Sequence, residues 1–286
     1  MYNVSFPAMG LEFKIDPIAF SIGGFEIRWY GIIIATGLLL ALVYARFSCE
    51  RFQVEWKKLI DCVLVGLVTG IIGARLFFVL FKLDYYLAHP AEIIMTRNGG
   101  LAIYGGIIGA FLGGCITAKI IKIKIMPVLD VAVLGFLIGQ GLGRWGNFFN
   151  QEAFGTVTDL PWGMMSENTN MQTVHPCFLY ESLWCLLGFV LLHFLSKKFQ
   201  KYPGQVLYAY MVWYGFERMI VEGLRTDSLY LPFSLFGLDL RISQIISAVI
   251  LIAGIVLLIV NRHKEDDFYD NYRRKKSKRF GKRAGS

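Results

Sequence analysis

Long apolar runs alternate with short polar segments along the whole chain. Seven of these runs are long enough to cross a bilayer as helices, which takes about 20 residues. The predicted spans are residues 29–45, 60–81, 100–118, 127–147, 177–195, 204–222 and 242–261. Because the runs are continuous and do not alternate between apolar and polar residues, they predict helices and not barrel strands. The pattern predicts an all-α integral membrane protein, a bundle of about seven transmembrane helices.

The composition supports a membrane protein. Of the 286 residues, 55% are hydrophobic and 17% are charged, and the mean hydropathy is +0.51. These values are too apolar for a soluble domain of this length. Residues 1–27 lack a basic segment followed by an apolar segment, so no cleavable signal peptide is predicted. We expect residues 1–261 to form one transmembrane domain with small extracytoplasmic arm and head segments.

The distribution of lysine and arginine predicts the orientation of the chain. Of the 29 Lys and Arg residues, 20 lie in alternate connections and in the tail after residue 261, and six lie on the opposite side. The positive-inside rule then places the N terminus outside and the C terminus in the cytoplasm. The remaining three, Arg75, Arg144 and Arg218, lie within or at the ends of apolar spans.

The basic segment 262–286 is predicted to be a disordered cytoplasmic tail attracted to anionic lipid. Nucleic acid is not a predicted partner, because few aromatic residues interrupt the basic run and the tail adjoins a membrane. The five cysteines are odd in number, lie mostly in apolar spans and form no CxxC pair. They predict neither a disulfide framework nor a metal site.

Glycines recur at helical spacing in three predicted spans. They are Gly66, Gly70 and Gly73; Gly105, Gly109 and Gly113; and Gly135, Gly139 and Gly143. Small residues four apart let helix backbones approach closely, so we interpret them as packing positions rather than ligand contacts.

Residues 143–155, GRWGNFFNQEAFG, place polar groups at the end of the fourth predicted span. Such groups are costly at the edge of hydrocarbon and mark a functional site by default. Arg144 and Asn147 share a helix face, whereas Asn150, Glu152 and Gly155 lie where the chain should leave the helix. One interpretation is an Arg–Glu pair that ties the helix end to the loop. The other is an anion clamp, because a guanidinium offers forked donors that match phosphate.

A second polar cluster ends the sixth predicted span. Arg218, Glu222 and Arg225 fall on one stripe of an otherwise apolar helix. A snorkelling arginine with a neutralising glutamate would account for it. The predicted topology opens both clusters on the outer leaflet.

Two further segments face the same predicted leaflet. Residues 97–106 place Tyr104 among glycines at the start of the third span. His175 and Pro176 precede the fifth span, where they form either a helix-entry turn or, with Cys177, a nucleophile and base. A spacing of two residues does not aim one side chain at the other, which disfavours the second interpretation.

The segment 143–155 is similar to the signature of the prolipoprotein diacylglyceryl transferase family, and the resemblance extends over residues 17–261. The matching signature positions are Gly143, Arg144, Asn147, Asn150, Glu152 and Gly155. Supporting matches are Trp29-Tyr30-Gly31, Gly73-Ala74-Arg75, the paired glycines of 99–106, His175-Pro176, Tyr180-Glu181, Arg218 with Glu222 and Arg225, and Ser243-Gln244. Many members carry His where this chain has Tyr104, so either a phenol substitutes or the base lies elsewhere.

The resemblance implies a reaction. The diacylglyceryl group of phosphatidylglycerol moves to a lipobox cysteine thiol of a prolipoprotein signal peptide, and glycerol phosphate leaves. It implies catalytic roles for Arg144, Arg218, Tyr104 and Glu152. The implied substrate-binding residues are Arg144, Asn147, Tyr30, Asn150, Gly155, Glu222, Arg225, Arg75 and His175.

The resemblance implies no cofactor and no metal. The expected partners are phosphatidylglycerol, lipobox signal peptides and membrane lipids. The expected form is a monomer in the cytoplasmic membrane with its active site facing the extracytoplasmic leaflet. The acceptor of the thiol proton stays open among Tyr104, Glu152, Glu222 and a phosphate oxygen of the substrate.

Two other classes of protein would also carry intramembrane arginines. A secondary transporter of an anionic solute would place them near glycine-broken helices, but its halves would show a repeated pattern that this chain lacks. A non-catalytic lipid-binding factor would keep the arginines without needing Tyr104 or Glu152.

Overall fold

The computed structural model describes residues 1–96, 99–230 and 240–263. The predictions for Arg97, Asn98 and tail residues 264–286 lie outside the described residues. The strands are β1 (Tyr2–Phe6), β2 (Leu11–Ile15), β3 (Ile18–Ile22), β4 (Phe25–Arg28) and β5 (Met165–Ser166). The helices are α1 (Trp29–Ser48), α2 (Trp56–Leu80), α3 (Leu83–Ala88), α4 (Ile103–Ile120), α5 (Ile125–Asn150), α6 (Cys177–Lys198), α7 (Gln205–Leu224) and α8 (Ile242–Val260).

The mostly helical membrane fold is confirmed, and each of the seven predicted spans contains a long helix. Within the described part of the chain, six helices are long and apolar enough to cross a membrane. The other long helix, α7, has 20 residues but carries Glu217, Arg218 and Glu222. These charges lower its hydropathy without shortening it, so its crossing of the membrane stays a prediction.

The chain divides into two compact units. The first unit comprises Met1–Phe47 and the described residues from Asp130 onward, and the second comprises the described residues of Ser48–Leu129. The boundary between them falls within α5, five residues after its start.

In the second unit, α2 and α4 pack at backbone contact. A Cβ built on Gly73 would lie 2.4 Å from the carbonyl oxygen of Gly105, and one on Gly105 would lie 2.3 Å from that of Gly73. No side chain fits at either position, so the helices can approach this closely only with glycine at both. The predicted packing role is confirmed for Gly73 and Gly105, whereas a Cβ built on Gly139 of α5 would meet nothing within 4 Å.

In the first unit, α1 and α5 also meet at glycines. A Cβ on Gly37 would lie 3.3 Å from the Cα of Gly139. Helices α6 and α7 are joined by Trp184 and Trp213, whose rings stack 4.3 Å apart. Each of these indoles donates a hydrogen bond to the backbone carbonyl of the other tryptophan, at 3.2 and 3.1 Å.

The first turn of α7 is capped by a side chain from α5. Asp130 is fully buried. Its carboxylate accepts hydrogen bonds from the backbone N–H groups of Gly204 (2.7 Å) and Leu207 (2.8 Å). The Gln200 amide donates a third bond at 2.8 Å. Because the first N–H groups of a helix have no partner within it, Asp130 fixes the start of α7 against α5.

Two small sheets at the N terminus were not predicted from the apolar pattern. The first has the order β2-β1-β5, and the second is the antiparallel hairpin β3-β4. Val4, Phe6 and Ile15 of the first sheet form a buried cluster with Met164, Val174 and Phe178. The N-terminal strands therefore hold the 151–176 segment, which follows the signature, against the start of α6.

Candidate active site

Two arginines from different helices meet on one buried carboxylate. Arg144 Nε of α5 lies 2.7 Å from Glu181 Oε2, and Arg218 Nη1 of α7 lies 2.5 Å from Glu181 Oε1. Glu181 stands one turn into α6, and its side chain is only 2% exposed. Both of its oxygens are used, so the three helices converge on a single carboxylate.

Arg218 has a second partner on its own helix. Its Nη2 lies 2.6 Å from Glu222 Oε2, one turn further along α7. Arg241, which precedes α8, donates a hydrogen bond to the backbone carbonyl of Glu222. We call Arg144, Glu181, Arg218 and Glu222 the arginine cluster. Its two positive and two negative groups balance, which is the condition for keeping charges away from water.

The partner of Arg144 is therefore not the one suggested by an Arg–Glu tie within the signature. Glu152 instead accepts hydrogen bonds from the side-chain amides of Asn147 (3.0 Å) and Asn150 (3.2 Å). Glu152 itself is exposed. The two amides hold this carboxylate just after the end of α5, eight residues beyond Arg144 along the chain.

Gly155 lies where the loop after α5 crosses the ends of α6 and α7. Its N–H donates to the carbonyl of His175 at 2.9 Å. A Cβ at this position would lie 2.7 Å from His175 Cβ and 2.9 Å from Cys177 Sγ. The signature glycine is thus needed for close packing of the loop against the start of α6.

His175 is not aimed at Cys177 as a base. Its Nδ1 is hydrogen-bonded to the Tyr180 hydroxyl at 3.2 Å, and the Trp162 indole donates to the same hydroxyl at 2.8 Å. The helix-entry interpretation accounts for these contacts.

Arg225 forms a separate ion pair just after α7. Its Nε and Nη2 donate to the two carboxylate oxygens of Asp227 at 2.8 and 2.6 Å. These hydrogen bonds hold the pKa of Asp227 below its usual range. The stripe predicted for Arg218, Glu222 and Arg225 is therefore divided between two ion-paired groups.

Tyr30 packs against α5 within the signature. A Cβ on Gly146 would lie 2.4 Å from the Tyr30 ring, which shows that the ring rests on the helix backbone there. The neighbouring Trp29 stacks on Phe149 with ring centroids 5.4 Å apart. Tyr30 is held two residues beyond Arg144 along the helix and is about one-third exposed.

Arg75 and Tyr104 lie in the second unit. The Arg75 guanidinium is buried and donates to the backbone carbonyls of Glu92 (2.6 Å), Ile93 (2.7 Å), Gly99 (3.2 Å) and Gly100 (2.8 Å). Gly100 has φ +78°. A Cβ there would lie 2.3 Å from Arg75 Nη1. These bonds give Arg75 a structural role in shaping the segment before α4, and its role in substrate binding stays a prediction.

Tyr104 is in the first turn of α4 and is partly buried. The phenol therefore lies near the N-terminal end of α4, just after the segment that Arg75 binds.

Two carboxylates of the first unit were absent from the residues selected from sequence. Glu181 was matched to the family but not assigned a role, and Glu217 was passed over as a neighbour of Arg218. Both are buried and lie inside predicted apolar spans. Acidic residues at such positions are a signal of function in their own right, so the sequence did contain the means to find them.

Comparison with known proteins identifies the family. The model of the family described as prolipoprotein diacylglyceryl transferase matches residues 17–260. A Finegoldia magna protein is 43% identical over 245 residues, covering 86% of this chain and 95% of the relative. A Staphylococcus saprophyticus protein is 41% identical over 264 residues, covering 88% and 91%.

A Streptococcus pneumoniae protein is 42% identical over 262 residues, covering 89% and 97%. All three relatives carry the name phosphatidylglycerol–prolipoprotein diacylglyceryl transferase. The match spans nearly the whole chain and includes every residue of the arginine cluster. The chain therefore belongs to the prolipoprotein diacylglyceryl transferase family.

Proposed function

We propose that this protein transfers the diacylglyceryl group of phosphatidylglycerol to the lipobox cysteine thiol of prolipoproteins, the first step of lipoprotein maturation. The observation that carries the proposal is the meeting of Arg144 and Arg218 on the Glu181 carboxylate. Two guanidiniums already arranged around one anion form a site that suits the phosphate of the lipid.

The reaction requires such a site. The thiol sulfur attacks the glycerol carbon that carries the phosphate, a carbon–sulfur bond forms and the carbon–oxygen bond to phosphate breaks. The phosphodiester, with one negative charge, leaves as a phosphomonoester that gains a second one. Hydrogen-bond donors fixed around the departing oxygens lower the barrier, because they stabilise the negative charge that develops there.

We expect the lipid phosphate to bind at the Arg144 guanidinium. It uses Nε for Glu181, and its two Nη groups have no hydrogen-bond partner recorded among the described residues. Its side chain is 24% exposed, compared with 14% for Arg218. The free edge of the Arg144 guanidinium can bind one phosphate oxygen while Glu181 keeps the fork oriented.

The neighbouring residues support this arrangement. Asn147 lies one turn after Arg144 and, with Asn150, holds Glu152 at the helix end. Tyr30 covers the helix at Gly146, where it can line the entrance for lipid. We place the site at the extracytoplasmic leaflet of the cytoplasmic membrane and propose that the protein acts as a monomer.

The direct test uses the purified protein in detergent with phosphatidylglycerol and a lipobox peptide. We expect a peptide whose mass increases by one diacylglyceryl group linked through a thioether, together with glycerol phosphate. The matched control is the same peptide with serine in place of cysteine, which should remain unmodified. Binding of phosphatidylglycerol without a modified peptide would contradict the proposal and favour a lipid-binding factor.

A further inference from the structure

Glu217 lies on the interior face of α7. It shares a helix stripe with Tyr210 and Tyr214, which precede it by seven and three residues. The Tyr210 hydroxyl donates to Gln140 Oε1 of α5 at 3.1 Å. Gln140 stands one turn before Arg144, so this stripe of α7 faces the same side of α5 that carries Arg144.

Two contacts determine the position of Glu217 along the axes of α5 and α7. Gln140 meets Tyr210 directly, and further along both helices Arg144 and Arg218 meet through Glu181. Helices α5 and α7 therefore run in the same direction here. With a rise of about 1.5 Å per residue, Glu217 lies about 10 Å beyond Tyr210, at the level of the arginine cluster.

The Glu217 carboxylate is buried and incompletely bonded. The residue is 5% exposed. Its Oε1 is shielded from solvent and has no hydrogen-bond partner in the part of the chain that the structure describes. The other candidates differ in their charged or amide partners: Glu181 binds two arginines, and Glu152 accepts two amide hydrogen bonds. Glu222 Oε2 also lacks a hydrogen bond of regular geometry among the described residues, but it lies 2.6 Å from Arg218 Nη2 in an ion pair.

The ion pairs of the neighbouring arginines explain why this difference matters chemically. Arg144 and Arg218 are matched by Glu181 and Glu222, and Arg225 is matched by Asp227. Arg241, the fourth arginine near this site, donates to the Glu222 backbone carbonyl and the Tyr230 hydroxyl and not to a carboxylate of the described residues. Glu217 is one further acid outside the ion pairs. An unpaired buried charge is costly, so among the described residues of this region Glu217 is the buried carboxyl group that can gain a proton without breaking an ion pair.

We propose that Glu217 accepts the proton of the substrate thiol during transfer. This inference rests on the proposed function and names a group outside the four acceptors considered from sequence. The thiol loses its proton to Glu217, which becomes neutral, while the sulfur forms its bond to the glycerol carbon. The phosphate gains one negative charge as it leaves, so the total charge beside the arginines does not change.

The test compares cysteine and selenocysteine lipobox peptides with the full-length protein in detergent containing phosphatidylglycerol. A selenol is already ionised at neutral pH, so it needs no proton acceptor. In Glu217→Gln we expect transfer to cysteine to fall about 10²-fold or more, and transfer to selenocysteine to stay within about threefold of wild type.

The matched control is Glu181→Gln, which removes a buried carboxylate that orients both arginines. It should lower transfer to both peptides by the same factor, because it disturbs the phosphate site and not the proton transfer. Glu217→Asp, which keeps an acceptor, should retain the wild-type ratio of the two rates.

The ratio of the two rates within one variant is independent of how much protein is folded. Equal losses with both peptides in Glu217→Gln would overturn the assignment, and so would unchanged rates with both. If Glu217→Gln does not fold, Glu217→Leu is measured in the same way, since an apolar side chain suits the buried position. If the wild type modifies neither peptide, the proposed function itself is wrong. That result differs from those that would overturn only the assignment of Glu217.

Discussion

At the scale of single residues, Glu181 organises the site. A guanidinium removed from water needs an anion, and Glu181 serves two of them from a third helix. Glu181 thereby fixes the orientation of both arginines before substrate arrives, and Arg218 also pairs with Glu222. Such preorganisation is what allows fixed charges to favour a transition state over a bound substrate.

The role of Tyr104 can be tested by two substitutions. If its phenol donates a hydrogen bond or a proton, Tyr104→Phe should slow transfer about 10²-fold, while Tyr104→His should retain activity. The initial rate with saturating phosphatidylglycerol is the measurement. A silent Tyr104→Phe beside a damaging Tyr104→Ala would show that the ring acts by packing alone.

The ion pair after α7 predicts a dependence on pH. Arg225 lowers the pKa of Asp227, so the pair stabilises the fold above the usual carboxyl pKa and is lost as pH falls through the lowered value. Wild type should unfold at a higher temperature than Asp227→Asn at neutral pH, and the difference should close below about pH 4. A difference that stays constant between neutral and acidic pH would contradict this.

Several single residues could be found from sequence because their chemistry is conspicuous in an apolar span. Arg144 and Arg218 were selected in this way, and the structure brings them to one carboxylate. Their shared partner could not be chosen from sequence, since Glu152 was equally available and only the approach of α6 decides between them. For the same reason, the sequence could not show which four backbone carbonyls bind Arg75.

At the scale of elements, the apolar pattern located the helices well because hydrocarbon demands continuous apolar runs. It overlooked the strands β1 to β4, which have four or five residues each and give no long periodic signal. The charges on α7 have a related effect: Arg218 and Glu222 form ion pairs within the first unit, and a sum of hydropathies does not take such pairing into account.

The cap on α7 predicts a stability effect. Asp130→Ala leaves the N–H groups of Gly204 and Leu207 and the Gln200 amide without their acceptor. We expect a loss of about 1.5–3 kcal/mol for each bond to the carboxylate that is not replaced.

The free energy of unfolding in a detergent titration measures this loss. Asp61→Ala, which removes an exposed acid from α2, is the control and should change stability by no more than about 0.5 kcal/mol. Equal effects of the two substitutions would show that Asp130 does not support α7.

At the scale of the whole molecule, the charge asymmetry predicts the orientation in the membrane. On a cysteine-free background, Asp159→Cys should react with an impermeant reagent in intact cells. Gln53→Cys should react only after permeabilisation. Both positions are exposed, whereas the neighbouring Thr158 is 9% exposed and would react poorly on either side. The reverse pattern of labelling would overturn the orientation and the leaflet assigned to the site.

The central claim is that the Arg144 guanidinium binds the phosphate that leaves during transfer. The most direct measurement is the rate of diacylglyceryl transfer to a lipobox peptide by Arg144→Lys and Arg144→Ala, at equal amounts of folded protein. We expect Arg144→Ala to lose about 10²–10³-fold in rate. Arg144→Lys should recover little of that loss, because an ammonium cannot bind Glu181 and phosphate through separate edges of one fork. Near-wild-type transfer by Arg144→Ala would contradict the account, since it would show that this arginine only balances the charge of Glu181.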